Sequence, residues 1–73
     1  MENNLRFQES LKELRNERKI GQTELAKAIG VSSGIISLWK NGLREPTLSN
    51  LIALADYFDI TIDYLVGREL SNK

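Results

Sequence analysis

The 73-residue sequence has no cysteine and no histidine, and it contains a single proline, Pro46. Without cysteine, neither a disulfide framework nor a cysteine zinc site can stabilise the fold, and histidine, the other common transition-metal ligand, is missing too. We therefore expect no cofactor and a fold that depends on its apolar core. No apolar run approaches the roughly 20 residues of a membrane span, and the N-terminus lacks the basic-then-apolar order of a signal peptide. These absences lead us to expect a cytoplasmic protein without membrane association.

An excess of charge of either sign is also missing, because ten Lys and Arg residues balance ten Asp and Glu residues. The distribution is nevertheless uneven: residues 1–44 hold eight basic and five acidic residues, and residues 45–73 hold two basic and five acidic residues. A basic half and an acidic half favour a polyanionic partner on one side of the molecule. The mild local charge predicts modest, salt-sensitive affinity.

The length and composition of the chain predict one small globular domain over residues 1–73, with its core at about residues 5–67. Hydrophobic residues make up 41% of the chain and charged residues 27%, which argues against disorder. Apolar residues recur at helical spacing in five segments, and none of these segments alternates as a strand would. The sequence therefore predicts an all-α domain of five helices.

The first helix is predicted from Asn4 to about Arg18 or Lys19, whose positive charges suit a helix C-terminus. Its apolar face comprises Phe7, Leu11 and Leu14.

Residues 21–42 carry the most informative pattern, two short amphipathic helices joined by a glycine. Thr23 is predicted to cap the first of them, and Gly30 stands where a left-handed backbone would end it. The apolar face of this helix comprises Leu25, Ala26 and Ile29.

Ser32 or Ser33 is predicted to cap the second short helix, and Asn41-Gly42 is predicted to end it. Its buried face comprises Ile36 and Trp39. Two such helices around a short glycine-containing turn form a helix-turn-helix, the unit that places its second helix in the major groove of DNA.

A fourth helix is predicted to begin at a cap formed by Thr47 or Ser49 and to close at Asp59. Its broad apolar face comprises Leu48, Leu51, Ile52, Leu54, Ala55 and Phe58. A short final helix is predicted to start near Thr61 and to stop at Gly67. Apolar surface left over on this last helix predicts a dimer contact formed by Ile62, Leu65 and Val66.

With these elements in place, the chain resembles the Cro/CI-type helix-turn-helix family, also called the XRE family. The resemblance covers about residues 7–67. It rests on the order and spacing of these segments: Leu11–Arg15, Gln22–Ala26, Gly30–Ser32, Ile36-Ser37, Trp39, Asn41-Gly42, Glu45-Pro46, Leu51–Leu54 and Ile60–Gly67. It implies a compact, lambda-repressor-like domain that binds double-stranded DNA, usually as a homodimer on a pseudo-palindromic operator, and regulates transcription.

The resemblance also implies that Gln22 hydrogen-bonds a DNA phosphate and that Asn41 makes a second backbone contact. Phosphate contacts at helix ends fix the register of a protein on DNA before any base is read. A purely structural role is open for both residues, in which Gln22 only caps or solvates a helix and Asn41 only forms a turn.

Lys40 stands where the family usually has a glutamate that pairs with the arginine matching Arg15. Since both residues are basic here, that ion pair cannot form, and we expect Arg15 to face solvent, phosphate or a carboxylate such as Glu24. Lys40 is then free to contact phosphate. Arg44, in the loop before Pro46, is placed to meet the DNA backbone or a minor groove, unless it pairs with Glu45.

Base reading is predicted for the outward face of the second motif helix. Residues three and four apart in sequence lie side by side on one face of a helix. This predicted base-reading set comprises Ser32, Ser33, Gly34, Ser37 and Leu38. Serine hydroxyls discriminate bases weakly, whereas Leu38 is suited to pack on a thymine methyl. Gly34 stands where the family usually has a side chain, which either allows close approach to the groove or weakens readout.

An enzyme is disfavoured, because the chain has no Cys or His, no glycine-rich phosphate loop and no carboxylate constellation in a plausible pocket. Two binding functions stay open beside a repressor: an antitoxin-like module that binds a protein partner, and a controller protein of a restriction–modification system. We favour a homodimeric repressor that places two copies of Ser32–Lys40 in successive major grooves.

Overall fold

The computed structural model describes residues 6–68, which form five α-helices and no strand. The helices are α1 (Phe7–Arg18), α2 (Gln22–Ile29), α3 (Ser33–Lys40), α4 (Leu48–Phe58) and α5 (Ile62–Val66). This architecture confirms the predicted all-α, five-helix fold. None of the helices in the described part is long and apolar enough to cross a membrane.

Three helices begin at a hydroxyl side chain that accepts a hydrogen bond from the amide three residues later. The distances are 3.2 Å at Ser32, 3.1 Å at Thr47 and 3.0 Å at Thr61. Each hydroxyl satisfies one of the amides that the first turn of a helix leaves unpaired. Where the sequence predicts either of two caps, the structure therefore selects Ser32 over Ser33 and Thr47 over Ser49.

Two predicted helix starts differ from the structure. Thr23 is not a cap, because α2 begins at Gln22, after Gly21, and Thr23 lies inside the first turn. The first helix begins at Phe7, after a cap residue Arg6 with a non-helical φ of −128°. The predicted start at Asn4 lies outside the described residues.

The core draws on all five helices. Its fully or nearly buried hydrophobic residues are Leu11, Leu14, Leu25, Ala26, Ile36, Trp39, Leu54, Ala55, Phe58 and Leu65. Trp39 is only 1% exposed, and the ring of Phe7 packs edge-on against it with 5.8 Å between ring centroids. Burying large aromatic and aliphatic side chains removes the most apolar surface from water, so this cluster supplies the main stabilisation of the domain.

The predicted apolar face of α4 is partly wrong. Leu54, Ala55 and Phe58 are buried as expected, but Leu48 is 67% exposed and Ile52 is 45% exposed. A helix in a small domain buries one stripe of its surface, and these two residues lie one turn apart outside that stripe.

The ends of α1 and α4 are joined by Arg18. Its guanidinium donates to the carbonyl oxygen of Phe58 at 2.9 Å and lies 5.4 Å from the centroid of the Phe58 ring. The hydrogen bond satisfies one of the carbonyls that the last turn of α4 leaves unpaired. Asp59 then closes α4 in a left-handed conformation with φ of 60°, at the position predicted for the end of that helix.

The two ends of the described chain meet at Arg6 and Gly67. The amide of Arg6 donates to the carbonyl oxygen of Val66 at 2.7 Å. A Cβ atom at Gly67 would lie 2.7 Å from Cβ of Arg6, and Gly67 has a φ of +84°. Both the close approach and the left-handed backbone require glycine at this position.

Replacing Gly67 by Ala is expected to destabilise the fold more than replacing Gly30 by Ala. Both changes place a Cβ atom at a positive φ, which costs about 1 kcal/mol, but a Cβ atom at Gly30 meets no atom within 4 Å. Thermal unfolding followed by the fluorescence of the single tryptophan measures both variants. Equal losses of stability would contradict the tight contact between Arg6 and Gly67.

Candidate nucleic-acid interface

The helix pair α2–α3 is held together by its buried side chains and by a glycine turn. Leu25 of α2 and Ile36 of α3 are both fully buried. Gly30 ends α2 with φ of +78°, and the amide of Val31 donates back to the carbonyl oxygen of Ala26 at 3.0 Å. The left-handed conformation of Gly30 and the hydrogen bond from Val31 end α2, and α3 starts three residues after Gly30, at Ser33.

The buried residues of α3 determine which of its faces is turned outward. Ile36 and Trp39 are in the core, so the opposite face carries Ser33 and Gly34, which are exposed, and Ser37, which is half-buried. Leu38 is also half-buried. Of the predicted base-reading residues, Ser33, Gly34, Ser37 and Leu38 therefore lie along one side of α3, and Ser32 precedes the helix as its cap.

Ser32 has a structural task within this group. Its Oγ accepts the hydrogen bond that caps α3, from the amide of Ile35. A serine hydroxyl can donate one hydrogen bond while its oxygen accepts another. The cap therefore leaves the O–H group of Ser32 available as a donor.

Gln22 joins the starts of the two motif helices. Its side-chain Nε2 donates to the carbonyl oxygen of Ser33 at 2.8 Å. The amide therefore does not cap its own helix, which is one of the two structural roles open for Gln22. The bond places Gln22 beside the first residue of α3, and its Oε1 and second N–H add polar groups at that edge.

Arg15 makes a contact that the sequence did not predict. Its Nε donates to the backbone carbonyl oxygen of Ile20 at 3.1 Å, just after the end of α1. Among residues 6–68, the ion pair that forms is Arg6–Glu9 at 2.6 Å, where the hydrogen bond from Arg6 to Glu9 raises the pKa of Arg6.

The C-terminal end of α3 and the loop after it present polar and basic groups. Lys40, Asn41 and Arg44 are all exposed there, and within the described range Arg44 forms no ion pair with Glu45. Leu43, which the sequence did not single out, is 73% exposed between Asn41 and Arg44. The exposure of Leu43 could not be predicted from the sequence, because it depends on the path of the loop.

The predicted dimer contact needs a correction at Leu65. This residue is fully buried in the protomer's own core, so it has no surface to offer a partner. Ile62 and Val66 are half-buried and keep some exposed surface. On the neighbouring helix α4, which packs against α5, Leu48 and Ile52 are exposed.

Comparison with known proteins gives the family. The model of a family described as helix-turn-helix matches residues 11–65. The chain is 31% identical over 67 residues to the uncharacterized HTH-type transcriptional regulator YqaE of Bacillus subtilis, covering 92% of this chain and 58% of YqaE. It is 34% identical over 65 residues to the HTH-type transcriptional activator BcrR of Enterococcus faecalis, covering 89% of this chain and 32% of BcrR.

A solved structure is similar over most of its length. The crystal structure of the P22 c2 repressor protein in complex with synthetic operator 9T in the presence of Tl⁺ is 35% identical, with a TM-score of 0.79. The match covers 86% of this chain and 96% of that chain. This protein belongs to the Cro/CI-type helix-turn-helix family, and the relatives named here are transcriptional regulators. It spans less than two-thirds of the length of the curated relatives YqaE and BcrR.

Replacing Ser32 by Ala is expected to lower the free energy of unfolding by about 1 kcal/mol, because α3 loses its cap. Replacing Ser33 by Ala is the matched control, since Ser33 is exposed and is not the residue that caps the helix. Chemical denaturation of the two variants measures the difference. A Ser33→Ala variant as unstable as Ser32→Ala would show that the cap is assigned to the wrong serine.

Proposed function

We propose that the chain is a sequence-specific, double-stranded-DNA-binding regulator that represses transcription as a homodimer on a pseudo-palindromic operator. The observation that carries this proposal is the orientation of α3. Because Ile36 and Trp39 are buried, the opposite side of α3 turns a row of small and apolar side chains outward. Polar groups lie at the N-terminal end of the helix and basic groups at its C-terminal end. A short helix presented in this way fits the major groove.

The ends of α3 are suited to hold two stretches of DNA backbone. Gln22 lies at its N-terminal end, and Lys40, Asn41 and Arg44 lie at or beyond its C-terminal end. Eight helical residues span about 12 Å, close to the width of the major groove. We assign the phosphate contacts to these four residues, whose charges and amides fix register without reading sequence.

The outward face of α3 then reads bases through Ser33, Ser37 and Leu38, with Ser32 at its start. Leu38 offers apolar surface to a thymine methyl, and the serines offer donors and acceptors. A Cβ atom at Gly34 would meet only Oγ of Ser32, at 3.7 Å, so the protein's own packing does not require glycine there. This supports a role for Gly34 in close approach of the helix to the base edges.

The second copy of the chain is proposed to pack on the exposed apolar side of α4 and α5. Leu48, Ile52, Ile62 and Val66 supply this surface. A two-fold dimer presents two α3 helices about one helical turn of DNA apart, which matches a pseudo-palindromic site. Occupying such a site blocks other proteins from it, which is the simplest route to repression. The structural relative P22 c2 is a repressor, which supports this sign of regulation.

Selection from a random pool of DNA duplexes tests the proposal. The wild-type protein is expected to enrich an inverted repeat whose half-sites lie about ten base pairs apart, with affinity that falls steeply with salt. The Leu38→Ala variant is expected to enrich a different base at one position of each half-site, because the thymine-methyl contact is lost. The Arg44→Ala variant is expected to enrich the wild-type sequence with weaker binding, because a phosphate contact carries no base preference.

Three results would contradict parts of the proposal. Enrichment of no sequence by the wild-type protein, with only weak uniform binding, would favour a module that binds a protein partner. Enrichment of a single half-site without a repeat would contradict the proposed binding as a homodimer. An unchanged preference in Leu38→Ala would remove Leu38 from the base-reading residues.

A further inference from the structure

A side chain from α1 holds the C-terminal end of α3. Gln8 donates from Nε2 to the backbone carbonyl oxygen of Lys40 at 3.1 Å, although 32 residues separate the two in sequence. The last carbonyls of a helix have no partner inside the helix. Those of Leu38 and Trp39 are taken by the amides of the following turn, at Leu43 and Gly42. Within the described residues, the carbonyl of Lys40 is satisfied by Gln8.

The same amide lies against the turn that follows α3. If Gly42 carried a Cβ atom, that atom would lie 3.0 Å from Oε1 and 3.2 Å from Nε2 of Gln8. The side chain of Gln8 is therefore in close contact with the turn backbone as well as hydrogen-bonded to it. The one amide group of Gln8 therefore makes both contacts between α1 and the turn.

The buried side chain of Trp39 packs the inner side of this end of α3, whereas the turn after it is bordered by open space. Gln8 borders a cavity of about 450 Å³ that Lys12, Arg15 and Lys40 also line. It also borders a second cavity of about 320 Å³, which Arg44 also lines. Because Gln8 borders open space in both cavities, few neighbouring groups could replace its hydrogen bond to the carbonyl of Lys40.

We propose that Gln8 is a positioning residue for DNA binding, which sets the turn after α3 so that Lys40, Asn41 and Arg44 reach the phosphate backbone. The inference rests on the proposed function, because it concerns the same interface. Gln8 touches no DNA in this account and acts through the turn. Gln22 makes a corresponding contact at the other end, with the carbonyl of Ser33, so that glutamine side chains hold α3 at both ends.

The test uses the operator selected by the wild-type protein and measures binding over a series of salt concentrations. In Gln8→Met the side chain keeps its length and loses its hydrogen-bond donor. We expect affinity to fall about ten-fold and the slope of log K against log salt to decrease by about one. Gln8 is uncharged, so its replacement alters the salt slope only if a cationic group of the turn leaves its phosphate. Gln8→Asn, whose amide is one methylene shorter, is expected to behave in the same way.

Asn16→Met is the matched control. Asn16 lies on the same helix and lines the same 450 Å³ cavity as Gln8, and no hydrogen bond of its side chain is found in the described part of the chain. It is expected to bind with wild-type affinity and salt slope. In an Arg44→Ala background the effect of Gln8→Met is expected to shrink to less than about three-fold, because one of the contacts it positions is already absent.

Several outcomes would overturn the inference about Gln8. These are wild-type affinity in Gln8→Met, a loss of affinity with an unchanged salt slope, and an equal loss in the Arg44→Ala background. In each case the wild-type operator still exists, so the proposed function stands. If the wild-type protein selects no operator at all, the proposed function fails and the inference about Gln8 fails with it.

Discussion

The burial of Trp39 is the constraint on which the rest of the structure depends. Trp39 is the largest fully buried side chain, and it belongs to the eight-residue helix α3, which has no other large aromatic residue. Its contact with Phe7 of α1, together with the burial of Ile36 against α2, fixes the rotation of α3 about its axis. A helix this short is not stable alone, so its packing determines both that it forms and which side it turns outward. The proposed base-reading face is a consequence of that packing.

Polar side chains position the helix ends, which the apolar core does not fix. The core fixes the rotation of α3, and the glutamine amides of Gln22 and Gln8 hold the backbone at its two ends. Arg15 and Arg18 have a similar role at the end of α1 and the end of α4, each through a backbone carbonyl. In a domain with no buried polar side chain among the described residues, such half-exposed contacts give orientation without the cost of burying a charge. A few hydrogen bonds from side chains to backbone carbonyls therefore help to position α3 and the helix ends around it.

Local patterns in the sequence were sufficient for the helices and for most of their ends, because caps, left-handed stops and apolar spacing act over a few residues. Long-range side-chain contacts could not be predicted in this way. The bond between Gln8 and Lys40 depends on how α1 crosses α3, and the carbonyl partner of Arg15 depends on the path of the chain after α1. Periodicity also could not distinguish Leu65, which is buried in the protomer, from its half-buried neighbours on α5. Apolar residues recur at the same helical spacing whether they pack inside a domain or between two copies of it.

The most direct test of the central claim, that the outward face of α3 meets the bases, is the measurement of intermolecular nuclear Overhauser effects in a complex with the selected operator. The account predicts contacts from the side chains of Ser37 and Leu38 to major-groove protons, including thymine methyl groups. Contacts to DNA only from α1 or α5, with none from α3, would contradict it.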